Sequence, residues 1–140
     1  MTNAAQPAQA VARARTLWVG RALSGIVIAF LLMDATMKLL ALPVVLEASG
    51  LLGFAGSQMA RGLGFVLLIC TALYLAPQTA VLGAVLLTGY LGGAVATHVR
   101  VGSPLFTHVL FGVYLGVFLW GGLYLREARL RMLIPLRLKA

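Results

Sequence analysis

Two histidines and an arginine lie within the stretch GGAVATHVRVGSPLFTH, residues 92–108. They are His98, Arg100 and His108, and the chain around them is strongly apolar. Imidazole nitrogens can ligate a metal or haem iron, and they can exchange protons with a quinone. Two histidines beside a short turn are also typical of a structural hydrogen-bonding pair at a membrane surface. From these residues we disfavour a haem, assign no metal site, and favour a quinone or another lipophilic ligand.

The composition indicates that these side chains belong to a membrane protein. The chain has 140 residues, of which 61% are hydrophobic and 10% are charged. Soluble domains carry about 25% charged residues, and several apolar runs here reach the roughly 20 residues that cross a bilayer. The net charge of +8 comes mostly from basic residues near the chain ends. That distribution is typical of membrane topology and argues against nucleic-acid binding. We expect an all-α, polytopic membrane protein in contact with the lipid bilayer.

Four membrane helices are predicted to form a bundle over residues 17–125. Their expected ranges are 17–42, 60–76, 78–99 and 105–125. The second is short for a span, so it either begins earlier, near Ser57, or lies where the bilayer thins. Between the first two helices, apolar residues at helical spacing predict a short amphipathic helix at the membrane interface. Residues 1–16 are expected to form a disordered cytoplasmic tail, and residues 126–140 a basic cytoplasmic tail.

The basic residues also predict the orientation of the bundle. Four spans place both termini on one side, where eight Lys and Arg residues lie, against three on the other side. Because the more basic side is normally cytoplasmic, both termini are expected in the cytoplasm. Four aromatic residues near these helix ends resemble an interfacial aromatic belt: Trp18, Tyr74, Trp120 and Tyr124.

The same topology gathers the remaining ionisable side chains in the outer half of the bundle. They are Asp34, Lys38, Glu47, Arg61, His98, Arg100 and His108. A charge at mid-span costs about 2.5–3.5 kcal/mol on insertion scales, so these groups should face inward and pair. Asp34 is expected to accept hydrogen bonds from Lys38, four residues along the same helix, or from Arg61 or Arg100. Glu47 should pair with a cation that remains. The structural alternative is that the three cations snorkel to water.

Small residues indicate where helices approach each other. Gly89 and Gly93 form one GxxxG repeat, and Gly112 and Gly116 form another. Such faces let helices pack closely in lipid, and they could also join copies into a homo-oligomer. Tyr90, next to the first repeat, either lines a cavity or makes an interhelical hydrogen bond.

Three stretches carry a family resemblance: RALSGIVIAFLLMDATMKLL, LTGYLGGAVATHVR and RLRMLIPLR. Over most of residues 17–137 the chain resembles the DoxX-like family of small bacterial four-helix integral membrane proteins. The resemblance implies a bundle in the inner membrane and an association with redox and oxidative-stress complexes. It also implies a shared polar pattern, in which no residue is established as catalytic: Asp34, Lys38, Tyr90, Thr97, His98, Arg100 and His108. The single cysteine, Cys70, argues against disulfide redox chemistry.

Three functions remain open from the sequence. The first is a redox-associated accessory subunit that binds a quinone or another lipophilic ligand in a polar outer-leaflet pocket and docks a redox partner protein. The second is a small oligomeric transporter or lipid-handling protein. The third is a structural membrane module without chemistry of its own. We favour the first, and we expect the chain to act as a subunit of a membrane oxidoreductase more than as an enzyme by itself.

Overall fold

The computed structural model describes residues 5–133, in which all regular structure is helical. The elements are α1 Ala5–Leu39, α2 Pro43–Leu51, α3 Ser57–Leu75, α4 Ala80–Arg100, a π-helical turn Leu105–Val109, α5 Phe111–Arg126 and α6 Ala128–Leu133. Within that part of the chain four segments are long and apolar enough to cross a membrane: Gln9–Leu39, Ser57–Leu75, Ala80–Arg100 and Leu105–Arg126. The expected all-α fold with four spans is therefore confirmed, and the chain is a multi-pass membrane protein.

Several helix ends differ from the sequence expectation. Residues 5–16, expected to be disordered, continue α1, consistent with their high content of alanine, the best helix former. Helix α3 begins at Ser57, the earlier of the two expected starts. The fourth span opens with a π-helical turn instead of a regular α-helix. Part of the expected basic tail forms α6, while residues 1–4 and 134–140 lie outside the described residues.

The short helix α2 lies where an amphipathic helix was expected. Pro43 occupies its first turn, where the missing N–H of proline costs no hydrogen bond and its fixed φ suits the helix. We call the end of the bundle that carries α2 the α2 end. The opposite end carries the turn between α3 and α4, together with α6, and we call it the α6 end.

The four spanning helices form a ring in the order α1, α3, α4 and α5, with α5 closing back on α1. Their inward faces share one apolar core. Its fully buried members include Val27, Leu31, Leu67, Leu87 and Leu119. Large apolar side chains also cover the outside, such as Phe65 at 58% exposure and Val117 at 63%. Outward-facing apolar residues at this density are typical of a surface solvated by lipid.

Glycines set the distances between the helices. At the α6 end, a Cβ on Gly122 of α5 would lie 2.9 Å from the backbone nitrogen of Ser24 in α1. Gly83 of α4 lies against the backbone of Tyr74 in α3, too close for any side chain. Because lipid gives no hydrophobic drive for helix association, such close backbone packing is a main source of attraction. The α6 end is consequently held tightly.

The GxxxG repeats do not pack as expected within the chain. Of their four members only Gly112 makes a close contact, with a Cβ position 3.2 Å from the Leu91 carbonyl oxygen of α4. Gly89, Gly93 and Gly116 have no atoms of neighbouring helices within 4 Å of a Cβ position. The glycines that do make close contacts, such as Gly83, Gly112 and Gly122, share no sequence spacing from which their role could be predicted.

Tyr74 connects three helices through its hydroxyl group. The hydroxyl donates a hydrogen bond to the Leu119 carbonyl oxygen of α5 at 2.8 Å and lies 3.0 Å from Ser24 Oγ of α1. Because a phenol has a single proton, Ser24 is the donor in the second bond. Tyr74 is fully buried, so the expectation that it belongs to an aromatic belt was wrong. The Arg126 guanidinium lies over its ring at 4.8 Å.

Replacing Tyr74→Phe should destabilise the bundle, because the buried Ser24 hydroxyl loses its acceptor and the Leu119 carbonyl loses its donor. Interhelical hydrogen bonds in membranes average about 0.6 kcal/mol and reach about 1.7 kcal/mol. We expect the free energy of unfolding in detergent to fall by about 1–2 kcal/mol. Tyr114→Phe is the matched control, since Tyr114 is 44% exposed. Equal stability of the two variants would contradict the connecting role of Tyr74.

Candidate functional site

A cavity of about 600 Å³ opens inside the α2 end of the bundle. It lies between α1, α4 and α5, with α2 and the segment after it forming a further wall. Pockets that bind small molecules typically measure about 300–1,000 Å³. The cavity is therefore large enough for a sizeable organic ligand.

Two aromatic rings lie between α1 and α5 at this end. Phe30 and Phe111 meet edge to face with ring centroids 5.0 Å apart, and both line the cavity. At the α6 end the same two helices meet through Gly20 and Gly122, with a Gly20 Cβ position 3.0 Å from the Gly122 carbonyl oxygen. Along this helix pair, glycines make the contact at the α6 end and phenylalanines make it beside the cavity.

Most of the residues predicted from the sequence do come together at the cavity. Six of the seven candidate ligand-binding residues line it: Asp34, Lys38, Tyr90, Thr97, His98 and His108. The other wall residues are mainly apolar, including Met37, Val45, Leu52, Leu91 and Leu115. The site is thus an apolar chamber with a small number of polar groups.

Asp34 and Lys38 form an ion pair within α1. The Lys38 ammonium donates to both oxygens of the Asp34 carboxylate. The Asp34 side chain is only 29% exposed and the Lys38 side chain only 16%. The pair is what the i, i+4 spacing predicted. It gives the cavity wall a strong dipole without a net charge.

The two histidines lie side by side, as the short connection between their helices suggested. Their ring centroids are 5.6 Å apart with an interplanar angle of 62°. A hydroxyl engages the Nδ1 atom of each ring: Ser103 Oγ lies 3.0 Å from His98 Nδ1, and Thr107 Oγ1 lies 2.8 Å from His108 Nδ1. Each Nε2 atom consequently remains for a ligand. Across residues 5–133, no group of three His, Cys, Asp or Glu residues comes together as metal donors.

His108 owes its position to the π-helical turn, Leu105–Val109. The turn follows Pro104 and widens the backbone just before α5 begins. Such π segments are rare and often occur at functional sites. Sequence reasoning had no signal for it, because an apolar run after a proline reads equally well as the first turn of an α-helix.

Tyr90 and Thr97 contribute from α4. Thr97 Oγ1 donates to the Gly93 carbonyl oxygen within its own helix at 2.8 Å, so its oxygen can still accept a hydrogen bond. Tyr90 lines the cavity and is partly buried against the core. Of the two sequence alternatives for Tyr90, the structure therefore shows a cavity-lining side chain.

Three expectations about the remaining charges were wrong. Arg100 does not line the cavity; it donates from Nη2 to the Leu52 carbonyl oxygen at 2.8 Å. Glu47 and Arg61 are both exposed, and within residues 5–133 neither takes part in an ion pair. The physical reason is that both lie on outward faces of their helices, where water or lipid headgroups can satisfy them. Ser49 of α2 is buried and lines the cavity.

The family model for the DoxX-like family matches residues 22–122. The chain belongs to the DoxX-like family. The match spans α2, α3, α4, the π-helical turn and all of the cavity-lining residues. Searches of curated proteins and of solved structures gave no significant match to this DoxX-like protein.

Removing one member of the Asp34 and Lys38 pair should cost more stability than removing both. Asp34→Asn leaves the ammonium of Lys38 half-buried without its anion. We expect the free energy of unfolding to fall by about 1–3 kcal/mol. The double variant Asp34→Asn with Lys38→Met should recover most of that loss, because no unpaired charge remains. Chemical unfolding of all the variants in one detergent measures this. Additive losses in the double variant would show that the two side chains act independently.

Proposed function

We propose that this DoxX-like protein binds a lipophilic ligand with a hydrogen-bond-accepting headgroup, and that a quinone is the best fit. The observation that carries the proposal is the composition of the cavity wall. Apolar side chains surround a few convergent polar groups, which is the usual make-up of a small-molecule site. In a membrane protein, such a chamber suits a molecule that partitions into the bilayer.

The polar groups favour a quinone headgroup over a charged one. The ion pair of Asp34 and Lys38 carries no net charge, so the wall does not select strongly for either sign. The Tyr90 hydroxyl is a donor that matches a carbonyl oxygen, and a histidine Nε2 donates as well in the tautomer that carries its proton there. The rings of Phe30 and Phe111 offer flat apolar surface on which a quinone ring can pack. The isoprenoid tail would then lie along the apolar part of the chamber.

We propose that the protein acts as an accessory subunit of a membrane redox system. In this role the chain holds the quinone and hydrogen-bonds its oxygens, while a redox partner protein supplies or removes electrons. The lipid-handling alternative shares the same chamber and differs in the ligand. Native mass spectrometry of gently extracted protein distinguishes them, since it reports whether a quinone or a phospholipid is carried.

We also propose an orientation in the bacterial inner membrane with both termini cytoplasmic. Exposed arginines at the α6 end support it: Arg13, Arg15, Arg21 and Arg129. Within residues 5–133, the basic residues toward the α2 end are Lys38, Arg61 and Arg100. The cavity would then lie in the outer leaflet. In a Cys70→Ala background, a membrane-impermeant maleimide should label Gly50→Cys on whole cells, and Ala12→Cys only after lysis. The reverse pattern would overturn this orientation.

Filling the cavity should abolish ligand binding. Ala94 lines the chamber on α4, and Ala94→Phe places a ring inside it. We expect binding of decylubiquinone, measured in nanodiscs by titration and by native mass spectrometry, to weaken by at least about tenfold, since lost burial of a few methylenes is worth that factor. Ala96→Phe is the control, because Ala96 is exposed on the same helix and does not line the cavity. Equal binding by both variants would exclude the cavity as the site.

A further inference from the structure

Helix α2 forms a separate wall of the cavity. It contributes Val44, Val45, Ala48 and Ser49 to the lining, and Leu52 and Phe54 follow directly after it. It is only nine residues long and packs against the adjoining spans α1 and α3. The other cavity walls belong to spanning helices of the ring. Of all the walls, α2 is therefore the one that can move without disturbing the bundle.

Unusual backbone conformations lie on both sides of α2. Ala41, just before it, has a φ of +50° although it is not a glycine. Gly53 and Gly56, just after it, have φ values of +86° and +97°. Hinges are a few loop or element-terminal residues that absorb a large change in φ and ψ. Ala41, Gly53 and Gly56 lie at such positions, so both ends of α2 are places where a hinge could form.

A single side chain ties the far end of α2 to the opposite wall. Arg100, at the C-terminal end of α4, donates to the Leu52 carbonyl oxygen at 2.8 Å. Within residues 5–133 this is the hydrogen bond that joins the segment between α2 and α3 to α4. The guanidinium also fills the space over Gly53, where a Cβ would lie 2.9 Å from Arg100 Nη2. Gly53 is needed both for its φ and for this contact.

We propose that α2 is a lid over the cavity and that Arg100 is its latch. Release of Arg100 from Leu52 lets α2 swing on its hinges and opens the cavity to the membrane surface, so that a lipophilic ligand can enter and leave. The ligand part of this proposal rests on the proposed function, whereas the motion of the lid does not. Arg100 acts as a positioning residue, because it does not line the cavity itself.

The kinetic signature of a latch is a change in both rates with little change in affinity. Arg100→Gln removes the charged donor in the free and in the bound protein alike. We expect the association and dissociation rates of decylubiquinone to rise together by about tenfold, the factor that one hydrogen bond from a charged group can supply. The dissociation constant should stay within about twofold. Surface plasmon resonance on nanodisc-embedded protein, referenced to empty nanodiscs, gives both rates.

A second readout needs no ligand. Hydrogen exchange of the backbone amides of residues 44–53 should be faster in Arg100→Gln than in the wild type, while exchange in α4 stays unchanged. Arg61→Gln is the matched control, since Arg61 is an exposed arginine at the same end of the bundle and makes no contact with the latch. It should leave both the binding rates and the exchange unchanged.

Two further variants keep the test decisive if Arg100→Gln fails to fold. Gly53→Ala places a Cβ 2.9 Å from Arg100 Nη2 and puts an alanine at a φ of +86°, so both the contact with Arg100 and the backbone after α2 are disturbed, and ligand exchange should accelerate with the arginine still present. Arg100→Lys retains a charged donor and should restore part of the wild-type behaviour. Wild-type rates and wild-type amide exchange in both Arg100→Gln and Gly53→Ala would overturn the lid. If amide exchange is faster in Arg100→Gln but the wild type binds no decylubiquinone, the proposal of a lid stands and the proposal of a quinone ligand is wrong.

Discussion

The structure depends on the fact that hydrocarbon gives helices no hydrophobic reason to associate. Backbone contacts at glycines and interior hydrogen bonds must hold the bundle together instead. At the α6 end, Gly83 and Gly122 bring helices into backbone contact and Tyr74 bonds to two other helices. At the α2 end, Gly64 packs against the backbone of α1 and Gly112 against that of α4, so the bundle is held at both ends around the cavity.

The α2 end contains both the cavity and the polar side chains that line it. Phe30 and Phe111 pack edge to face between α1 and α5, and seven polar or ionisable side chains line the chamber. Burial of such groups is tolerated because they are paired locally: Lys38 with Asp34, and each histidine with a neighbouring hydroxyl. The charges of the chamber neutralise each other, and the Tyr90 hydroxyl can still donate a hydrogen bond. Such a chamber is suited to a neutral lipophile with carbonyl groups. In the proposed lid, the small helix α2 and its contact with Arg100 would control how such a molecule reaches the chamber.

The sequence predicts the spans, and it places together most of the polar residues that line the cavity, because both follow from simple constraints. Apolar run length predicts the spanning helices, and chain topology alone places Asp34, His98 and His108 at one end. The errors concern features that depend on tertiary packing. Arg100 bonds to a carbonyl oxygen instead of an acid, and carbonyl acceptors are invisible in a sequence. Likewise Gly89 and Gly93 line a cavity instead of packing against a helix. A GxxxG repeat does not reveal which helix, if any, faces it.

Photo-labelling tests most directly whether the chamber at the α2 end holds a lipophile. The nanodisc-embedded protein would be irradiated with a diazirine-bearing ubiquinone analogue, and the modified residues mapped by peptide mass spectrometry. We predict that labels concentrate on the cavity walls, in residues 89–98 and around Asp34 and Phe111, and that excess decylubiquinone suppresses them. Labels spread over outward-facing residues such as Val81 and Val117, insensitive to the competitor, would contradict a binding chamber.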